Sequence, residues 1–314
     1  MKTRPLGKTG FAASMLGIGD LADRSVPIGK CVATLHRAMD HGLNLIDTAP
    51  MYESGYSELI VGAALRDRRD GMFLIDKVDH LDQPVEPQVD GSLRALGLEL
   101  VDLFVFHEVS KLPQWERIAA TGMEELARCQ SAGKVRFRGI SSHHPDVLRA
   151  ALEGDLCDVV MFPVGPFVDR RYVDEILPLA RRKGVGTVCF KTFGAGKLLG
   201  DTTGYNQPLQ ERPRGKFSSG GKEPAGEAQL PRLTVAECLH YTLTLNPDVT
   251  LLGLSFPNEQ DAAFRAFEAF RPLEPAQLKE IERRAAQAME GKGRCWWNPG
   301  EGEKRLNFGI RIVN

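Results

Sequence analysis

The sequence predicts a single (β/α)8 barrel, and three observations carry that prediction. Short β-rich runs recur eight times along 314 residues, helix-like segments separate them, and ionisable residues stand just past several of the runs. Runs that are apolar almost throughout, rather than alternating, suit parallel strands covered on both faces. A strand–helix unit repeated eight times is the barrel pattern. A doubly wound sheet is the other solution for such an order, but no strand is followed by a G-x-G-x-x-G turn. Barrels of this length form one domain, so residues 1–314 are expected to be a single unit.

The predicted strands are Ser14–Gly19, Leu43–Ile46, Met72–Ile75, Val101–Phe106, Val135–Ile140, Asp158–Phe162, Val185–Phe190 and Val249–Leu254. Among the helices, Lys30–His41 places Cys31, Leu35, Ala38 and Met39 on one face, the 3.6-residue period. The others are Glu58–Arg69, Val85–Leu96, Trp115–Ser131, Val147–Glu153, Tyr172–Lys183, Thr234–Leu245 and Glu259–Phe270. Gly42, Gly97, Gly133, Gly154 and Gly184 follow helices where a left-handed cap favours glycine. Arg4–Thr9 precedes the first strand as a hairpin plugging the barrel bottom, and Pro275–Glu290 adds one amphipathic helix. Between the seventh strand and its helix, Gly200–Pro231 holds six Gly and four Pro; so long a loop is either an ordered lid or a floppy insertion.

Composition narrows the function. Lys plus Arg is 40 and Asp plus Glu is 41, a net charge of −1 that gives no general attraction to nucleic acid or anionic lipid. The six cysteines are scattered without a C-x-x-C pair, so neither a zinc site nor a disulfide framework is signalled. No apolar run reaches the length of a signal peptide or a membrane span, and a reduced, cytoplasmic protein is expected.

The chemistry lies at the strand ends. Asp47, Lys77 and His107 follow three successive strands, which lie about 4.8 Å apart in a barrel, so their side chains converge on one rim. Tyr52 follows in the loop after Asp47 and bends back over the opening. Singly, each has an ordinary explanation as a cap, a solvated strand end, a structural imidazole or a loop anchor. Together they form a proton-donating device. A lysine ammonium stabilises the phenolate of a neighbouring tyrosine, and Asp47 keeps Lys77 charged and in place. His107 orients or polarises a carbonyl oxygen. Such a site suits reduction of an aldehyde or ketone by an external hydride donor.

At these residues the sequence resembles the aldo-keto reductase superfamily, over nearly the whole chain. Arg4-Pro5-Leu6-Gly7-Lys8-Thr9-Gly10 is similar to the family's N-terminal hairpin, and Asn44-Leu45-Ile46-Asp47-Thr48-Ala49-Pro50-Met51-Tyr52 to its Asp…Tyr signature. Lys77 and His107 complete the Asp-Tyr-Lys-His tetrad. The resemblance implies a cytoplasmic NADP(H)-dependent carbonyl reductase without metal or flavin, with Tyr52 as general acid, acting on a small-molecule carbonyl. It also implies substrate contacts from Tyr52, His107 and Trp115.

The same resemblance implies a nicotinamide site. Gly139-Ile140-Ser141-Ser142 is similar to the family's Gly-Val-Ser-Asn turn, with Ser142 in place of the amide. Met161 stands where relatives have Gln, and Phe190 where a Tyr stacks on the nicotinamide. Lys191, Phe193 and Gly196 lie in a stretch similar to Lys-Pro-Leu-Gly-Gly-Gly, and Gly19 and Asp20 stand at the end of the first strand. One branch with that stretch carries a C-terminal iron–sulfur segment; Cys295 alone near this C-terminus excludes a cluster. Gly253, Ser255 and Glu259 fall in the adenosine region, where relatives place a basic residue for the 2′-phosphate. Glu259 leaves NAD(H) as a competitor, with Arg265 or Arg212, Arg214 and Lys216 as other phosphate partners. Trp296-Trp297 either line the pocket or pack the last helix. Two other functions stay open: a metal-dependent hydrolase using His143-His144, and a nucleotide-binding scaffold with little turnover.

Overall fold

The computed structural model describes residues 1–19, 24, 26–199, 231–290, 295, 297 and 298. Asp20, the segment 200–230 with Arg212, Arg214 and Lys216, and Trp296 lie outside the described residues. A hairpin opens the chain, with β1 (Thr3–Pro5) antiparallel to β2 (Ala12–Ser14). Eight parallel strands then close into a barrel: β3 (Leu16–Gly19), β4 (Leu45–Asp47), β5 (Phe73–Val78), β6 (Val101–Phe106), β7 (Val135–Ser141), β8 (Val159–Pro163), β9 (Gly186–Phe190) and β10 (Val249–Leu252). Closure is made by β10 lying against β3, with Thr250 opposite Leu16.

The strands read as continuous apolar runs because each feeds two cores. Leu45, Phe73, Ile75, Leu103, Val105, Val159, Met161, Val188, Val249 and Leu251 fill the barrel interior. Their alternates, among them Ile46, Leu74, Phe104, Val160 and Phe162, pack outward under the helices. The hairpin contributes Leu6 and Ala13 to the inner core, and Phe11 lies with its ring centroid 5.0 Å from that of Phe73. It plugs the barrel floor, so ligands are left the opposite, C-terminal rim.

The helical layer is α1 (Ile28–Asp40), α2 (Tyr56–Leu65), α3 (Val85–Leu96), α4 (Leu112–Arg117), α5 (Met123–Ser131), α6 (Pro145–Glu153), α7 (Leu177–Lys183), α8 (Val235–Leu245), α9 (Pro257–Glu268) and α10 (Pro275–Met289). Two predicted helices contain a π-helical turn: Ile118–Gly122 joins α4 to α5, and Tyr172–Ile176 leads into α7. The first packs where a Cβ on Gly122 would lie 2.7 Å from the Phe106 ring, so the bare glycine admits the ring. Helix α2 ends four residues before the predicted Arg69, whose guanidinium instead bonds Met72 O and Asp102. Gly42, Gly97, Gly133 and Gly184 take the expected left-handed conformation. Gly154 does not: its φ is −73°, and the left-handed turn falls one residue later at Asp155.

Candidate active site

Asp47 is the last residue of β4 and lies in register with Gly19 on β3. A Cβ on Gly19 would approach Asp47 Oδ2 to 3.2 Å, so the glycine makes room for the carboxylate. On β5, Ile75 belongs to the interior and Leu74 and Val78 to the outer core, which sends Lys77 inward and Asp76 outward. Lys77 Nζ donates to Asp47 Oδ1 at 2.7 Å and to Thr48 O at 2.6 Å, and both side chains are buried. Burial raises the Asp47 pKa, and the Lys77 ammonium opposes that rise.

The loop after β4 brings Tyr52 over this pair, with Lys77 Nζ 4.3 Å from the ring centroid. Three successive residues after Tyr52, Glu53, Ser54 and Gly55, have positive φ. Only the last is glycine, and the turn is held from outside: Arg24 donates to Glu53 O at 2.8 Å and to Ser54 O at 3.0 Å. His107, just past β6, meets Tyr52 edge-on with ring centroids 5.7 Å apart. The four predicted residues therefore do converge on one rim.

One participant went unpredicted. Asp79 accepts from His107 Nδ1 with one carboxylate oxygen and from Met51 N at 2.7 Å with the other. An ionised carboxylate only accepts, so Nδ1 carries a proton and Nε2 is presented as the second ring nitrogen. Asp79 thus ties the imidazole to the loop that carries Tyr52. Its one sequence signal is position, two residues after Lys77 on the same strand end. Asp79→Ala should lower kcat by about tenfold or more, because both the imidazole and the Tyr52 loop lose the group that fixes their placement. Nucleotide affinity should change little, as a parallel titration would show.

Around this centre, Gly19, Ser141 and Phe190 end β3, β7 and β9, and Gly253 and Ser255 follow β10, all on the same rim. The Phe190 ring tilts against His143 with centroids 5.2 Å apart. Lys191 adopts φ +67° and places Nζ 5.9 Å from the Phe190 centroid and 5.6 Å from that of Trp297, while Lys197 Nζ lies 5.3 Å from the latter. Trp297 is buried, and Gly196 lies in the 3-10 turn Gly194–Leu199 with φ +88°.

Other expected ligands are engaged elsewhere. Ser142 Oγ donates to Val109 O at 2.6 Å and accepts from His144 N at 3.0 Å, tying two rim loops together. Met161 belongs to the barrel interior and Phe193 to the outer core. Glu259 is buried and accepts from Phe256 N at 3.3 Å, at the N-terminus of α9 where an anion is favoured. Trp115 is a correction: it is buried on α4 and its ring packs toward Gly154, in the helical layer rather than over the substrate opening. His143 is buried, and burial followed by the nearby Lys191 charge pushes its pKa well down, keeping it neutral. Among the described residues no group of three or more His, Cys, Asp or Glu is placed to hold a metal, and no helix is long and apolar enough to cross a membrane.

A buried lysine–aspartate pair thus lies beneath a tyrosine at the open rim of a closed (β/α)8 barrel. The model of the Aldo/keto reductase family matches residues 15–285. The chain belongs to that family and is an oxidoreductase acting on carbonyl compounds. It is 30% identical over 234 residues to the NADH-specific methylglyoxal reductase of Escherichia coli K12, spanning 65% of this chain and 71% of that one. Solved structures share the fold. An aldo-keto reductase from Bacillus halodurans in its holo form superposes with a TM-score of 0.70 at 24% identity, over 90% of this chain and 96% of that one. An aldo-keto reductase from Klebsiella pneumoniae in complex with NADPH gives 0.67 at 21% identity, over 90% and 95%.

Proposed function

We propose that the chain reduces an aldehyde or ketone to an alcohol, with Tyr52 supplying the proton. The observation that carries this reading is the stack of Asp47, Lys77 and Tyr52, with a 2.7 Å ion pair set 4.3 Å below the ring centroid. A bound nicotinamide supplies the hydride. Tyr52 gives its phenolic proton to the developing alkoxide, and the Lys77 ammonium stabilises the phenolate left behind. Asp47 holds Lys77 charged in a site that water does not reach. His107, oriented by Asp79, directs Nε2 toward the carbonyl oxygen and fixes its position between imidazole and phenol.

The rim fits a planar cofactor ring. Phe190 offers a flat aromatic face, and a Cβ on Gly253 would meet nothing closer than Gly19 O at 4.0 Å, so backbone is open to close approach. Gly19, Ser141, Phe190, Lys191, Gly253 and Ser255 are the residues we assign to hold it. Ser142, Met161, Phe193 and Gly196 shape the wall behind them.

At the adenosine end, the Glu259 carboxylate already occupies the α9 N-terminus where a phosphate clamp would otherwise form. Discrimination between NADPH and NADH should therefore be below about a thousandfold, or 4 kcal/mol. Titrating both nucleotides checks this, and a larger NADPH preference would show a phosphate clamp elsewhere in the chain. The function itself is tested by a carbonyl panel run with each reduced nucleotide, with a 2-oxoaldehyde included on the strength of the Escherichia coli relative's name. Turnover of an aldehyde or ketone supports the reductase. Tight nucleotide binding with no turnover on any carbonyl would favour a nucleotide-binding scaffold.

A further inference from the structure

Behind the catalytic sheet, on the outer face of β5, lies a second cluster of ionisable groups that the reaction does not touch. Asp76 points away from the barrel interior, Glu58 reaches it from the first turn of α2, and Ser92 stands beside Glu58 on α3. All three are buried. Asp76 Oδ1 accepts from the backbone N–H of Lys77 at 2.8 Å, so the cluster is attached directly to the residue that organises the tetrad. No hydrogen bond of standard geometry reaches Asp76 Oδ2, Glu58 Oε1 or Ser92 Oγ, although the Glu58 carboxyl lies within interacting reach of both Ser92 and Asp76.

Two ionised carboxylates are acceptors only and repel each other, so neither can satisfy the other in a dry pocket. One proton between them changes that, because the protonated carboxyl becomes a donor to its neighbour. The charges around the pocket favour taking one up. Asp76 faces Glu58, Lys77 and Asp47, and Glu58 faces Asp76 and Asp79, so carboxylates outnumber the single lysine. Helix α3 presents Ser92 there, while its Glu86 and Asp90 pair with Lys134. Burial and this repulsion push both carboxyls upward, Asp76 the further. Glu58, in the first turn of α2, is the one that the helix N-terminus favours as the anion.

We propose that Asp76 and Glu58 hold one shared proton and act together as a positioning element for Lys77, with Asp76 the protonated member at neutral pH. The element fixes the height of Lys77 on β5 through its backbone N–H without adding a second negative charge beside Asp47. The inference rests on the tetrad reading for its catalytic consequence, but not for the existence of the shared proton.

The test has two parts. Infrared spectra of the full chain at pH 7 should show a protonated-carboxyl C=O band that is missing in both D76N and E58Q. A folded state that carries one extra proton loses stability as pH rises above the ordinary carboxylate range. The wild-type folding constant should therefore fall about tenfold per pH unit relative to D76N, up to the pKa of the folded pair. Absence of the band, or parallel pH profiles for the two proteins, overturns the shared proton whatever happens to activity.

For positioning, Asp76→Val removes the acceptor for Lys77 N–H and should lower kcat at least tenfold with KM nearly unchanged. D76N keeps an acceptor and should recover most of that loss. Wild-type kcat in Asp76→Val, or D76N as impaired as Asp76→Val, overturns the positioning role. If Asp76→Val does not fold, the comparison is made with Asp76→Ala, which shortens the side chain and withdraws the same acceptor. Failure of the tetrad reading would show separately, as full turnover in Tyr52→Phe.

Discussion

Tyr52→Phe is expected to lower carbonyl reduction by about 10²–10⁴-fold, the usual contribution of a positioned general acid. The substitution removes one hydroxyl and leaves the ring over Lys77 Nζ, where it sits 4.3 Å from the centroid. The loop is held by Asp79 and Arg24 through backbone atoms that the substitution leaves in place, so the fold should survive. Nucleotide affinity should survive as well. Steady-state kinetics with a parallel nucleotide titration separates the two quantities, and a loss of affinity matching the loss of turnover would point to a binding role instead.

Lys77→Met is expected to be comparably damaging to turnover by a different route, and it should also destabilise the protein. The ammonium that stabilises the phenolate disappears, so proton donation from Tyr52 weakens. At the same time Asp47 is left buried without the partner that now sits 2.7 Å away. Breaking one side of a buried pair costs about 3–5 kcal/mol. The sign of the pH dependence follows from Asp47. Burial raises its folded pKa, and without Lys77 nothing in the pair opposes that rise. A carboxyl whose folded pKa lies above its unfolded value costs stability increasingly as pH rises from the unfolded pKa to the folded one. The thermal destabilisation of Lys77→Met should thus be larger at pH 8 than at pH 5. Equal losses at both values would mean that Asp47 stays ionised without its partner.

The barrel was legible because its strands are covered on both faces. A run such as Val101-Asp102-Leu103-Phe104-Val105-Phe106 supplies Leu103 and Val105 inward and Phe104 and Phe106 outward, and no surface strand reads that way. The tetrad was legible for a related reason, since Asp47, Lys77 and His107 end neighbouring strands whose spacing is fixed by the sheet. Asp79 was not, because its role depends on the direction of the His107 ring and on a backbone N–H of the Tyr52 loop. Neither has a periodicity. Glu58 likewise reads as an ordinary first-turn acid until α2 turns it toward Asp76. Trp115 misled because its place near the start of a helix after the fourth barrel strand suggested the rim, whereas helical rotation buries it against Gly154. The π turns were invisible, since one inserted residue leaves the apolar pattern on either side intact. Ser142 kept the expected place but turned its hydroxyl to Val109 O, a choice that depends on a loop more than thirty residues earlier.

The central claim is that Tyr52 and Lys77 act as one proton-donating unit, and a double-substitution cycle tests it most directly. The measurement is kcat/KM for wild type, Tyr52→Phe, Lys77→Met and the double variant, on one carbonyl substrate under one set of conditions. Residues that act as a unit are strongly non-additive, so the double variant should be little worse than the more damaged single one. Losses that simply multiply in the double variant would contradict the account, because they would mean that the phenol and the ammonium serve the reaction independently.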